Sequence, residues 1–488
     1  MPGGGGSYGK RLCGRHFWRI LLRITDQRTA ERMEEEKYIC HQCIGDEYVS
    51  LTVKNNGDAG ENCSYCNNKI INLPLDTVAD MMHEVFNRNF RVFRQDIYYF
   101  DHNSGSPAED IISECLDVFF EIASDIHNIL QNKHNEYMDG WEEVYSEDYI
   151  YRRITPVNGE LDSAWEEMKR SLQSEARFFN RSVKEFLDNI FDDLSTFQTE
   201  NSGSAIVTVD SDCAIYRARV FENYAKVEEA LRHPERHFGP PPPDIATSGR
   251  MNAYGIPVFY GATSPDTALA EVRPAVGSFV VVAEFRPINS LQVLDLSALD
   301  QLSISEESYF DPKIIRRNEI TAFLRTLSRK LTLPVSGRNP DSEYLITQAV
   351  AEYLSVSQKH NLDGITFRST QKKNEDKEKE NHDNIVLFSR SSTVKNADSG
   401  RDTFAAELFE YDYDDERSYE WFSPEIKKID EETGKSHSYS SRGMTERYSL
   451  ELLADQITFY EISGVKYHAE PTKIRHGNPV RRKSQRTD

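Results

Sequence analysis

Near its N-terminus this chain of 488 residues has only one hydrophobic stretch, Phe17 to Ile24, and Arg19 and Arg23 interrupt it. A run so short and so charged excludes a membrane span there and argues against a secretory h-region. The expected location is the cytosol. Positive charge is also scarce, with 58 Lys and Arg against 80 Asp and Glu and a formal net charge of -22. That balance repels nucleic acid in bulk and argues against a general DNA or RNA coat, while leaving room for local basic patches. Gly4, Gly6 and Gly9 match the spacing of a dinucleotide fingerprint, and Gly4 to Lys10 approaches a phosphate loop. Neither has its context: no strand precedes them, and Arg11 stands where a phosphate loop needs Ser or Thr. Both matches are accidental. Residues 1–32, Gly-rich and then basic, read as a disordered extension, with the folded part beginning at Met33.

The length calls for two or three domains, each with its own core. Of seven cysteines, four fall as Cys40-x-x-Cys43 and Cys63-x-x-Cys66. Two such pairs have the spacing of a metal ribbon, each pair forming a knuckle that points two thiolates at one ion. A four-thiolate tetrahedral site suits zinc, and with no fifth ligand its role is structural, within a small module spanning 33–71. Cys13, Cys115 and Cys213 are left over, and Cys115 sits in an apolar helical pattern as a core residue.

Beyond the ribbon the pattern turns helical. Val78, Met81, Met82, Val85, Phe86 and Phe90 recur at helical spacing. After a break at Gly105 to Pro107, Ile111, Ile112, Cys115, Leu116, Phe119, Phe120 and Ile126 repeat the pattern as a second amphipathic helix. Helical stretches at 165–178 and 183–194 complete an expected bundle over 72–204. From about Asp210 strand-like runs dominate: 214–220, 258–260, 279–285, 291–294, 364–367 and 385–388, with short helices at 264–272 and 344–355. This predicts an α+β domain over 205–395. A C-terminal extension, 396–488, holds strand-like 456–462 and 465–468 and a basic tail.

Five short motifs follow in order: Ile215-Tyr216-Arg217-Ala218-Arg219; Gly249-Arg250-Met251-Asn252; Val258 to Ala262 followed by Thr267 to Arg273; Asp363 to Ser369; and Asn384 to Phe388. Together they resemble the RES domain family over roughly 210–392. The resemblance implies a fold similar to ADP-ribosyltransferases and an enzyme that degrades NAD+ by hydrolysis or phosphorolysis, as a toxin or defence effector. The Arg, Glu and Ser that name the family match Arg217, Glu271 and Ser369, and the family tyrosine eleven positions before the Glu matches Tyr260. A helical bundle ahead of such a domain resembles the HEPN-type regions of longer family members. Ribonuclease relatives of that type need Arg and His four to six residues apart, and Arg94 and His102 miss that spacing, so the bundle reads as non-catalytic.

The residue chemistry suits NAD+ cleavage on its own terms. A planar guanidinium forks onto phosphate oxygens, a role for Arg217 first and Arg250 second. Breaking the nicotinamide bond leaves positive charge on the ribose, which a carboxylate such as Glu271 stabilises. Tyr260 offers a ring to stack on the pyridinium and Ser369 a hydroxyl for the nicotinamide or ribose; Asn384 joins the binding set. Taken singly, each has a plain structural explanation, and the shared order overturns it. Two other readings share the motifs: an ADP-ribosyltransferase acting on a protein or nucleic acid, and an inactive zinc-ribbon interaction protein. An NAD+-consuming enzyme also calls for restraint, by the zinc-ribbon and helical region or by an inhibitory protein partner that binds it; the other partner expected is a second copy of the chain, as a homo-oligomer. The chain departs from compact family members in an insert at 303–340, a charged run at 371–383 and the C-terminal extension.

Overall fold

The computed structural model describes residues 36–94, 105–134, 144–154, 159–175, 177, 179–305, 307–332, 340–369, 382–414, 417–429, 448–466 and 471–474. The N-terminal extension, Cys13, His102, residues 371–381 of the charged run and most of the basic tail lie outside them. The chain divides into two compact units, Met1–Asp162 with Ser303–Phe323, and Ser163–Leu302 with Leu324–Asp488. Among the described residues no helix is long and apolar enough to cross a membrane.

In the first unit, β1 (Tyr38–Cys40) pairs antiparallel with β2 (Asn72–Pro74), which brings the two cysteine knuckles together. Helix Glu47–Asn56 stands between the knuckles. Asp46 caps it, its carboxylate accepting from the Val49 amide at 2.8 Å. Helix Leu75–Asn89 turns Val78, Ala79, Met82, Val85 and Phe86 into a core shared with Ile112, Leu116, Ile122 and Ile126. Cys115 is buried in that core, as its apolar pattern predicts.

The second amphipathic helix expected over Ile111 to Ile126 is two helices, Ala108–Leu116 and Phe120–His134. The chain turns between them at Asp117, which adopts the left-handed conformation with φ 49°. The reason is tertiary: the Gly45 and Asp46 amides donate to the Leu116 carbonyl at 3.1 and 3.0 Å, taking an acceptor that a continuous helix would keep for itself. An antiparallel hairpin, β3 (Phe90–Arg94) with β4 (Tyr149–Arg153), completes the unit's strands.

The second unit is built on a mixed eight-stranded sheet, so the chain as a whole is α+β. Its strands are β5 (Ile206–Val209), β6 (Ile215–Phe221), β7 (Phe259–Ala262), β8 (Phe279–Pro287), β9 (Leu291–Asp295), β10 (Gly364–Arg368), β11 (Asp383–Leu387) and β14 (Leu450–Glu461), which lies beyond a hairpin of β12 (Phe404–Asp414) with β13 (Arg417–Lys428). The order across the sheet is β14-β8-β6-β7-β11-β10-β9-β5. β9 and β10 pair in parallel, and every other neighbouring pair is antiparallel. β8 reads Phe-Val-Val-Val-Ala-Glu-Phe and is buried on both faces, as a central strand requires. The six strand runs read from alternation within 205–395 all form, at 214–220, 258–260, 279–285, 291–294, 364–367 and 385–388, each shifted by at most a few residues.

Other features differ from the sequence pattern. The insert contains a long helix, Pro312–Thr332, and the strand expected at 456–462 begins earlier, at Leu450. Val465 and Lys466 form no strand, and the rest of the second C-terminal run lies outside the described residues. β5 and the β12–β13 hairpin were not apparent from periodicity.

Candidate active site and metal centre

The four cysteine sulfurs meet as the spacing predicts. Cys40 Sγ lies 3.6 Å from Cys43 Sγ and 3.6 Å from Cys66 Sγ, and Cys43 Sγ lies 3.8 Å from Cys63 Sγ. All four ligand atoms lie within 4.8 Å of one another. Thiolates on one tetrahedral zinc ion, with Zn–S near 2.3 Å, sit about 3.8 Å apart, so the spacing fits the ion. Burial pushes the Cys43 thiol up, as expected for sulfurs crowded together without a cation. Burial also acts on Cys63, yet the backbone amides of Cys66, Tyr65 and Cys40 bring its pKa down to about 7. The cluster can hold a metal such as zinc.

In the second unit the site arises where the sheet opens. β6 pairs with β8 from Ile215 to Phe221, but with β7 at one position only, Tyr216 with Ala262. Beyond that pair the two strands diverge. A cavity of about 390 Å³ lies there, lined by Tyr216, Arg217 and Ala218 from β6 and by Tyr260, Gly261 and Ala262 from β7. Arg250, Glu271, Arg273, Tyr344, Phe367 and Asn384 complete much of its wall. The size suits a small-molecule site.

Arg217 sits on β6 with its guanidinium carbon 5.0 Å from the Phe259 ring centre. Burial, reinforced by Arg219, lowers its pKa to about 9, the mark of a cation held out of water without a counterion. Its Nη1 is buried and has no hydrogen-bond partner.

Glu271 ends the helix Pro265–Glu271 that follows β7. Ser264 caps this helix by accepting from the Thr267 amide at 3.2 Å, and Pro265 opens its first turn. The chain leaves the helix through Arg273, in the left-handed region at φ 45°. The Ser369 hydroxyl donates to Glu271 Oε1 at 2.7 Å, and Asn384 Nδ2 donates to the same oxygen at 2.8 Å. Among the described residues Oε2 keeps no partner. Because Asn384 must present its amino group to a carboxylate, its orientation is set, and its Oδ1 is left buried and unbonded. Ser369 is not a lining residue; its hydroxyl faces the carboxylate.

The loop carrying Arg250 is held from two sides. Tyr260 Oη donates to Asn252 Oδ1 at 2.9 Å and accepts from the Met251 amide at 3.0 Å. Burial raises the Tyr260 pKa to about 12, keeping the phenol a donor. From helix Pro340–Val356, Thr347 Oγ1 donates to the Arg250 carbonyl at 2.5 Å and Gln348 Nε2 to the Gly249 carbonyl at 2.7 Å. A Cβ at Gly249 would fall 2.5 Å from Asn252 Oδ1 and 2.7 Å from Tyr260 Oη, so glycine is what lets these groups close in. Arg250 Nη1 donates to the Thr332 carbonyl at 2.8 Å.

The structure thus brings Arg217, Arg250, Tyr260, Glu271 and Asn384 to one cavity, with Ser369 behind Glu271. Sequence reasoning passed over Tyr216 and Arg273, which lie inside quoted motifs, and Tyr344 and Phe367. Tyr344 follows the insert, where no motif signals it.

Residues 214–406 match the family model of the RES domain. That stretch of the chain is a RES domain. No curated protein and no solved structure matches the chain.

Proposed function

We propose that the RES domain binds NAD+ in the cavity between β6 and β7 and breaks its nicotinamide–ribose bond. One observation carries this reading: a buried donor without an acceptor, Arg217 Nη1, and a buried acceptor without a donor, Asn384 Oδ1, line the same cavity as a carboxylate with one free oxygen. Buried polar atoms left unpaired are costly, and a ligand that supplies both partners recovers that cost. NAD+ does so chemically: its pyrophosphate offers acceptors to Arg217 and Arg250, and its ribose hydroxyls or carboxamide offer donors to Asn384.

Bond cleavage sends the electron pair to nicotinamide, which departs neutral and leaves positive charge on the ribose ring. Glu271, oriented by Ser369 and Asn384 through Oε1, turns Oε2 to that charge or to a ribose hydroxyl. Water or phosphate then adds at the ribose carbon and releases a proton. Tyr260 acts through its ring, since its hydroxyl is spent on the 249–252 loop. We further assign the cysteine cluster to structural zinc, and NAD+ depletion to a role as toxin or defence effector.

Incubating the purified chain with NAD+ and separating the products tests this. Free nicotinamide with ADP-ribose, or with its 1-phosphate, is expected; label carried onto a macromolecule indicates the transferase reading, and intact NAD+ overturns cleavage altogether.

A further inference from the structure

In a chain of net charge -22, the basic tail runs against the trend, and it belongs to neither site described above. Residues 462–488 carry seven Lys and Arg against two Asp and Glu. The β12–β13 hairpin, 404–428, holds the opposite excess, eight carboxylates against three cations. The two excesses are equal, five charges of each sign.

The outer face of the hairpin suits cations. Phe409 and Phe422 pair directly across it and pack inward, their ring centres 5.1 and 5.6 Å from that of Tyr224. The alternate positions therefore belong to the outer face, where the register sets Trp421 opposite Glu410 and Tyr419 opposite Asp412. Trp421, Tyr419 and Glu410 are exposed. A cation over an indole face gains from the ring quadrupole, and a carboxylate directly opposite on the second strand adds an ion pair. Among the described residues of the hairpin, Glu425 pairs with Lys427 at 2.7 Å, while Glu407, Glu410 and Glu420 form no salt bridge.

Chain geometry decides which cations reach this face. β14 ends at Glu461, two residues past Phe459, whose ring centre lies 4.8 Å from that of Phe422. The tail therefore leaves the fold beside the hairpin. Twelve residues lead from Glu461 to Lys473, up to about 40 Å of extended chain, which is about the length of the hairpin itself. Tethering at that range gives the tail an effective concentration on the order of millimolar, which a separate partner lacks. Ile474, between Lys473 and Arg475, is 98 % exposed, an apolar side chain that an aromatic face would cover.

We propose that residues 473–486 dock on the hairpin of their own chain, with Lys and Arg side chains over Trp421 and Tyr419 and against Glu410, and with Ile474 on the ring surface beside them. A neutral segment would leave the carboxylates unpaired, and an acidic one would be repelled. The surface lies in the second unit and does not depend on the reading of the RES cavity.

The test is zero-length carbodiimide cross-linking of the full chain, which joins a lysine to a carboxylate only where the two are in contact, read by mass spectrometry. An equal mixture of unlabelled and nitrogen-15-labelled chains is used, so that a cross-link within one chain carries a single label. Lys473 and Lys483 are expected to couple to Glu410 and Asp412 within single chains. The yield should fall about fivefold or more in ~1 M NaCl, where charges are screened beyond about 3 Å. Arg481→Glu combined with Arg482→Glu, which keeps both lysines, should lower it about fivefold or more. Trp421→Ala, at an exposed position, should lower it about threefold. Circular dichroism checks that each variant is folded, and the tail variant, which alters no hairpin residue, carries the test if Trp421→Ala does not fold. Absence of tail-to-hairpin cross-links overturns the proposal, as does an unchanged yield in high salt or in either folded variant. Mixed-label cross-links as frequent as single-label ones overturn it too, and assign the surface to the tail of a second copy.

Discussion

In the first unit, four thiolates from two short knuckles converge, and each ligand pair is already close in the chain. In the RES domain, the polar groups of the cavity come from β6, from the loop before β7, from the end of a helix and from β11, with Arg217 and Asn384 on strands at opposite ends of the domain sequence. A metal held by the cysteine cluster would contribute stability, because it is the partner the four sulfurs lack. The RES cavity works the other way. Its buried Arg217 Nη1 and unpaired Asn384 amide oxygen weaken the free fold, and on the proposed reading a ligand satisfies them. On the proposed reading, one cluster is kept for folding and the other for binding.

Three variants can break that comparison, and the largest effect is expected at the metal. Purified protein should carry about one zinc ion per chain, and Cys63→Ser should abolish it and unfold the ribbon, because structural zinc supplies on the order of 10 kcal/mol of folding free energy. Folded, metal-free protein, seen by elemental analysis together with circular dichroism, would end the structural-zinc assignment.

Next comes the carboxylate. Glu271→Gln keeps the size of the side chain and removes the charge that meets the cleaving bond. Nicotinamide release should fall about a hundredfold or more, while the dissociation constant for NAD+, measured by calorimetry, stays near its original value. Near-normal turnover in the folded variant would show that Glu271 does not serve the reaction.

The smallest effect has two signs. Burial lowers the Arg217 pKa to about 9, so the folded state holds this charge at a cost that a neutral, apolar side chain avoids. Arg217→Met should therefore raise the melting temperature by about 2–4 °C for each kcal/mol recovered. The same change should weaken NAD+ binding about tenfold or more, because the pyrophosphate contact exists in the ground state. A variant that loses stability as well as binding would make Arg217 a structural residue and erase the contrast between the two clusters.

Much of the RES fold could be read in advance because its strands alternate or run apolar over short spans between turns. Helix Pro312–Thr332 escaped notice because its polar and apolar residues are poorly segregated around the axis, and the break at Asp117 escaped because its cause lies in amides from Gly45 and Asp46. Local pattern carries information only about the segment that contains it. At the cavity, the identities of Arg217, Tyr260, Glu271 and Asn384 were legible through their motifs, but their duties were not. Tyr260 and Ser369 were expected to offer groups to a ligand; in the fold the Tyr260 hydroxyl secures the 249–252 loop and the Ser369 hydroxyl orients Glu271.

By itself, the order of residues determined the four-cysteine cluster, because both knuckles are local and their spacing brings the sulfurs within reach of one ion. It also marked six strands of the large sheet and the side chains of the RES motifs. Only the tertiary structure decided that β6 and β7 separate after a single pairing to open a cavity, that Asn384 from β11 reaches Glu271, and that Arg217 Nη1 is buried without a hydrogen-bond partner. Those outcomes depend on strands distant in sequence becoming neighbours, and no periodicity within one strand records which neighbour it will have or how far their pairing will run.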